Sequence, residues 1–229
     1  MPNRHERLAT RAMARKRPIK REVAVHEAGH AVGRFLTAER LGYTIDEAIS
    51  CIEVNAVSVA TGEVSFDGRM RMSQQATTFG PKFSRELAAF IKSSPGYEGP
   101  FRASVDDLVE LIDKARNMGL DVDGWFRAKA FSTILGPMAE AKLLGKPFKM
   151  VWSDYEAEGD FKDTVIEGII CSMTAEQIGA AIDEVTIFAE QEVERPEVWR
   201  AILALADKLK PGRMSGKEAA AIIKHALKT

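Results

Sequence analysis

Residues Val23 to Val32 read Val-Ala-Val-His-Glu-Ala-Gly-His-Ala-Val, with no proline and with Glu27 as the only charge. A run this small and apolar is suited to a helix packed on most sides. On such a helix His26 and His30, four positions apart, leave the same face about one turn from each other. Their ring nitrogens can then reach one Zn²⁺ at roughly 2.0–2.1 Å each. Glu27 follows the first histidine and is displaced around the helix. Its carboxylate can take a proton from metal-bound water without binding the metal. The plainer reading is a surface helix whose two histidines happen to share a face. Ala24, Val25, Ala28, Ala31 and Val32 argue against it, because a solvated face is rarely so uniformly apolar. The pattern predicts one Zn²⁺ per chain, with His26 and His30 as ligands and Glu27 as catalytic base.

The 229 residues suffice for one large domain or two small ones with a real core. A net charge of -1 gives no global pull toward nucleic acid or an acidic partner. Cys51 and Cys171 lie far apart and form no zinc or redox pattern, so they read as free thiols in a reducing cytoplasm. No apolar run approaches the length that spans a bilayer, and the chain does not begin with a secretory segment. The expectation is a soluble, cytoplasmic protein with no membrane partner.

Along the chain, residues 1–19 form a basic leader, with Arg4, Arg7, Arg11, Arg15, Lys16 and Arg17 against Glu6 alone. An organelle transit peptide or a nucleic-acid arm would have that composition, but a solvated, flexible leader is the reading favoured here. Pro18 suits a helix start, and the apolar rhythm then runs to about Leu41. Ile49 to Val57 and Gly62 to Phe66 alternate and are β-branched, with Ala60-Thr61-Gly62 as the turn, which predicts a small sheet. One edge of that sheet could pair with an extended peptide; equally, the strand could merely cover the zinc helix. Residues 68–82 read as loop, Ser84 to Lys92 as a short helix, and Ser104 as the N-cap of a helix to Met118 with an acidic, solvated face. A more apolar helix follows from about Gly124 to Leu144, closed by Gly145 and Pro147. Ser153 to Asp160 reads as an acidic loop leading into a helix at about 158–172. Thr174 with Gln177 makes a capping box for a helix to about Val193. Pro196 starts another to about Leu209, broken by Pro211-Gly212, and Ser215 with Glu218 caps a last helix from Lys217 to Leu227.

Catalytic zinc takes three protein ligands and a water. Of the remaining histidines, His5 lies in the leader and His225 in the last helix, so a carboxylate is the better third ligand. Asp160, beside Gly159 near a helix start, is the first candidate. Glu140, on a largely apolar helix where a buried carboxylate needs a partner, is the second. Either residue has an ordinary alternative: Asp160 as an N-terminal helix charge, Glu140 as a solvent-facing acid.

Taken together, these motifs resemble the peptidase domain of the FtsH family of membrane-tethered AAA proteases. Val25-His26-Glu27-Ala28-Gly29-His30-Ala31 has the family's His-Glu-Ala-Gly-His-Ala form. Leu135-Gly136-Pro137-Met138-Ala139-Glu140-Ala141 is similar to its Gly-Gly-Arg-Ala-Ala-Glu-Glu helix. Gly159-Asp160-Phe161-Lys162-Asp163-Thr164 is similar to its Asn-Asp-Leu-x-x-Ala-Thr segment. Leu203 to Leu209 and Met214 to Glu218 resemble its closing helices, and the order is collinear over most of residues 20–225. The first motif is specific, the others degenerate. The resemblance implies that His26, His30 and Asp160 bind zinc, that Glu27 is the base, and that the strand near Thr61 to Phe66 holds substrate peptide.

This chain departs from the family in having no Walker A motif, no ATPase module and no membrane-spanning segment, so ATP-driven unfolding would have to come from another chain. Residues 68–124 read as an insertion, Pro137 replaces the usual Arg, and the family's Thr-Gly-Ala lead into the ligand Asp is absent. The expected fold is α+β: mostly α with a small β-sheet, a zincin-like metal helix, and a helical C-terminal half within one domain over residues 20–229. The expected function is a zinc endopeptidase acting on unfolded or flexible polypeptides, either alone, by self-association, or fed by a separate ATPase. The alternative is a peptidase-like binding or regulatory module that cleaves nothing.

Overall fold

The structure is a computed structural model that describes residues 19–38, 49, 51–58, 64–71, 105–117, 119, 121–153 and 155–229. In chain order its elements are α1 (Arg21–Ala38), β1 (Cys51–Ser58), β2 (Val64–Arg71), α2 (Val105–Asn117), α3 (Val122–Leu144), α4 (Phe148–Trp152), α5 (Tyr155–Ile170), α6 (Ala175–Glu194), α7 (Pro196–Ala206), β3 (Gly212–Ser215) and α8 (Gly216–Lys228). The described residues are therefore mostly helical with one small sheet, as the sequence predicts. Among them no helix is long and apolar enough to cross a membrane.

The long helix α3 is the axis of the molecule. It packs along α1 on one side and α6 on another, and it also meets α4 and α5. Phe126, Phe131, Ile134 and Leu135 are buried along it, each contributing about 1.5–3 kcal/mol of hydrophobic stabilisation. α1 is enclosed by α3, α7 and β2, so nearly its whole circumference is buried from Ala24 to Ala38. That enclosure accounts for the small residues of the motif. A Cβ on Gly29 would fall 2.6 Å from the Leu135 carbonyl oxygen and 2.8 Å from the Gly136 Cα, so the two helix backbones touch there.

The sheet has the order β2-β1-β3 and is antiparallel throughout. β1 pairs with β2 from Cys51↔Arg71 to Ser58↔Val64, and with β3 from Cys51↔Ser215 to Val54↔Gly212. Among the described residues β2 has no partner on its outer side, which leaves an edge strand beside α1.

The helical reading of the second half holds, with corrections. Gly212 to Ser215, read as a break and a cap, is also a strand, because β1 offers it a free edge to pair with. Ser215 still accepts a hydrogen bond from the Glu218 N–H. The capping box of Thr174 and Gln177 is present in both directions. Phe148–Trp152, past the expected stop at Pro147, form the short helix α4. The supposed acidic loop is helical from Tyr155 onward, so Asp160 lies in the second turn of α5 and not at its entrance. The leader, the turn at Ala60 to Gly62, the short helix at 84–92 and the cap at Ser104 lie outside the described residues. So does 72–104, most of the stretch read as an insertion; its flanks contribute β2, α2 and the start of α3.

Candidate metal centre

α1 delivers two imidazoles and α5 delivers one carboxylate to the same point. The Nε2 atoms of His26 and His30 are 2.9 Å apart. Asp160 Oδ2 lies 3.1 Å from the first and 3.3 Å from the second. The two rings are nearly perpendicular, at 79°, so the nitrogens converge without the ring faces stacking. Tetrahedral ligands at about 2.0–2.1 Å from zinc lie roughly 3.3 Å from each other. The triangle matches that spacing to within a few tenths of an ångström, and the residues therefore fit a zinc ion. No other described group of histidines, cysteines and acids has ligand atoms gathered in this way.

The opposite ring nitrogens are already engaged. His30 Nδ1 lies 2.9 Å from the Ser132 carbonyl oxygen, an acceptor, so Nδ1 carries the proton and donates it. His26 Nδ1 lies 2.8 Å from Glu140 Oε2, and the same tautomer satisfies that bond. Both Nε2 atoms are thereby turned toward Asp160, the orientation in which imidazole can bind a metal once Nε2 gives up its proton. Both partners come from α3, one from each side of Pro137. That proline has no N–H to give the Thr133 carbonyl, which loosens this part of the helix. Gly136 completes the seat: a Cβ there would lie 2.4 Å from His30 Cε1 and 2.6 Å from its Nε2.

The charges gathered here call for a cation. Burial disfavours a proton on His26, but its hydrogen bonds to Asp160 and Glu140 and the nearby Glu27 charge outweigh burial and push its pKa up to about 10. His30 is raised as well: burial opposes, Asp160 and Glu27 favour, and the neighbouring His26 opposes. Asp160 shows the converse, since burial would raise its pKa but the two imidazoles hold it well below the usual carboxylate range. A divalent ion would occupy the place that protons hold in this cluster.

Glu27, one residue beyond His26, is buried, and its charge acts on both rings. Glu140 also reaches the cluster, through His26 Nδ1, whereas Asp160 is the acid that lies beside both Nε2 atoms. His225 is on α8, outside the cluster, and His5 is among the undescribed residues. Sequence reasoning missed Ser132 and the seat at Gly136. A main-chain carbonyl leaves no residue signature, but the glycine next to Pro137 inside an apolar helix was a visible cue. Comparison of the chain with protein-family models, with curated proteins and with solved structures found no match.

Proposed function

We propose that this chain is a zinc-dependent endopeptidase, hydrolysing peptide bonds of unfolded or flexible polypeptides. The observation that carries the reading is the convergence of His26 Nε2, His30 Nε2 and Asp160 Oδ2 on one point, with Glu27 beside them. The collinear resemblance of its motifs to the FtsH peptidase domain points the same way.

His26, His30 and Asp160 would hold the ion, leaving a coordination position for water or a carbonyl oxygen. When bound, the ion supplies two things: it lowers the pKa of water toward about 7 and polarises the scissile carbonyl. Glu27 accepts the proton from the attacking water and later gives it to the leaving amine. Glu140 and the Ser132 carbonyl keep the rings in the right tautomer and orientation throughout. The burial of α1 keeps bulk water from the base. The outer edge of β2 offers main-chain donors and acceptors to an extended peptide, and such pairing is indifferent to side-chain identity. Substrates would be flexible segments, or chains unfolded by an ATPase.

The test is cleavage of an unfolded casein-like substrate with and without chelator. Wild type should cleave and lose activity on chelation, whereas Glu27→Gln should retain zinc and lose turnover. Zinc-loaded wild type with no cleavage would favour a binding module instead, and turnover by Glu27→Gln would reject Glu27 as the base.

A further inference from the structure

α5 turns polar as well as apolar residues inward. Val165 and Ile170 pack half-buried against the core, and Asp160, Thr164, Glu167 and Gly168 are buried or half-buried with them, while Phe161, Ile166 and Ile169 are 44%, 39% and 50% exposed. Apolar burial alone therefore does not account for how this helix is seated. Thr164 is fully buried and donates its hydroxyl to the Asp160 carbonyl at 2.8 Å. Two turns beyond Asp160, on the same face, the Glu167 carboxylate forms an ion pair with Lys129 of α3, and both side chains are mostly buried.

The partner residues lead back to the metal centre. The Lys129 carbonyl accepts the Ser132 hydroxyl at 2.8 Å, and the Ser132 carbonyl is the group that orients His30. Lys129 also lies over the Trp125 ring, 5.3 Å from its centroid. Arg34, one turn past His30 on α1 and fully buried, adds its charge. The Glu167 carboxyl is raised overall: burial pushes it up and the Asp163 charge adds to that, while Lys129 and, more weakly, Arg34 draw it down. Two of the helices that supply the site, α1 and α3, thus each place a positive charge near Glu167 on the third, α5.

We propose that Glu167 and Lys129 are positioning residues for the third ligand: their buried ion pair, with Arg34 behind it, docks the face of α5 that carries Asp160. This rests on the metal-site reading for its consequence, but not for the docking itself. An ion pair fixes register where apolar burial would tolerate sliding, and ligand geometry is sensitive to a few tenths of an ångström.

The experiment measures Glu167→Gln, Lys129→Met and the conservative Lys129→Arg in two ways: zinc affinity by competition with a chromophoric chelator, and amide hydrogen exchange of the metal-free protein. Thr174→Ala, which removes a cap remote from the site, serves as the control for lost stability. Glu167→Gln and Lys129→Met should weaken zinc binding at least about 10-fold and speed exchange selectively in residues 155–170. Lys129→Arg should restore most of both, and Thr174→Ala should change neither. Wild-type zinc affinity in Glu167→Gln, or exchange in 155–170 no faster than elsewhere, would overturn the proposal. A wild type that binds no zinc would refute the metal-site reading, and the exchange pattern alone would then decide the docking. If Glu167→Gln fails to fold, Lys129→Met and Lys129→Arg carry the same comparison.

Discussion

Adding one methyl group at Gly136 should displace a zinc ligand. The Cβ of an alanine would lie 2.4, 2.6 and 2.7 Å from Cε1, Nε2 and Nδ1 of His30, against ordinary contacts of 3.4–4 Å. Relieving the closest contact requires the ring to move by about 1 Å, or α1 and α3 to part by a similar distance. Separation of the helices would give up the close packing of the two backbones at Gly29, where an added Cβ would lie 2.6 Å from the Leu135 carbonyl oxygen. Metal sites tolerate only about 0.2 Å of error in ligand distance, so His30 would be lost to the ion or held at a strained geometry. Gly136→Ala should therefore lower stability by about 1–3 kcal/mol, the range for overpacking, and weaken zinc binding at least about 10-fold. Gly159, next to Asp160 on α5, is the matched control, since nothing lies within 4 Å of its added Cβ. Gly159→Ala should raise helix stability by about 0.5–1 kcal/mol and leave zinc affinity unchanged. Thermal unfolding and competitive zinc titration of both variants give the comparison. Wild-type zinc affinity in Gly136→Ala would refute the claim that contact with α3 fixes the His30 ring.

Glu140→Gln should fold and weaken zinc binding by about 10–100-fold, because it removes the charged acceptor of His26 Nδ1; an unchanged affinity on titration would reduce Glu140 to packing. Zinc affinity should rise with pH, because the ion must displace a proton that His26 holds up to about pH 10. In the metal-free protein the sign is opposite. A pKa raised above its usual value stabilises the fold fully below about pH 6.5, and that stability is lost as pH climbs toward 10. Thermal unfolding in chelator should accordingly show wild type losing more stability than His26→Gln between those limits, and parallel curves would contradict it.

Much of this site is local in sequence, and that part was readable. His26, Glu27 and His30 lie within one and a half turns of a single helix, so residue spacing alone aligns them. Asp160 was harder, because the approach of α5 to α1 depends on how both pack against α3, and the chain has many acids that spacing does not separate. The motif order of the resemblance pointed to it; the geometry puts Glu140, the competing acid, at His26 Nδ1. The helix boundaries were legible where caps declare them, as at Thr174 and Ser215. They were less so at Tyr155, where an acidic run resembles a loop. β3 was invisible because four residues gain strand geometry only from β1. The ion pair of Lys129 and Glu167 was likewise hidden, since it joins two helices and neither residue stands in a motif.

The central claim is that two histidines of one helix and Asp160 of another hold a single divalent ion. Elemental analysis of zinc-equilibrated, exhaustively dialysed wild type and Asp160→Ala tests it most directly. One zinc per wild-type chain, with little or none retained by a folded Asp160→Ala, is the predicted result. A wild type without zinc, or an Asp160→Ala variant that keeps its full share, would contradict the account.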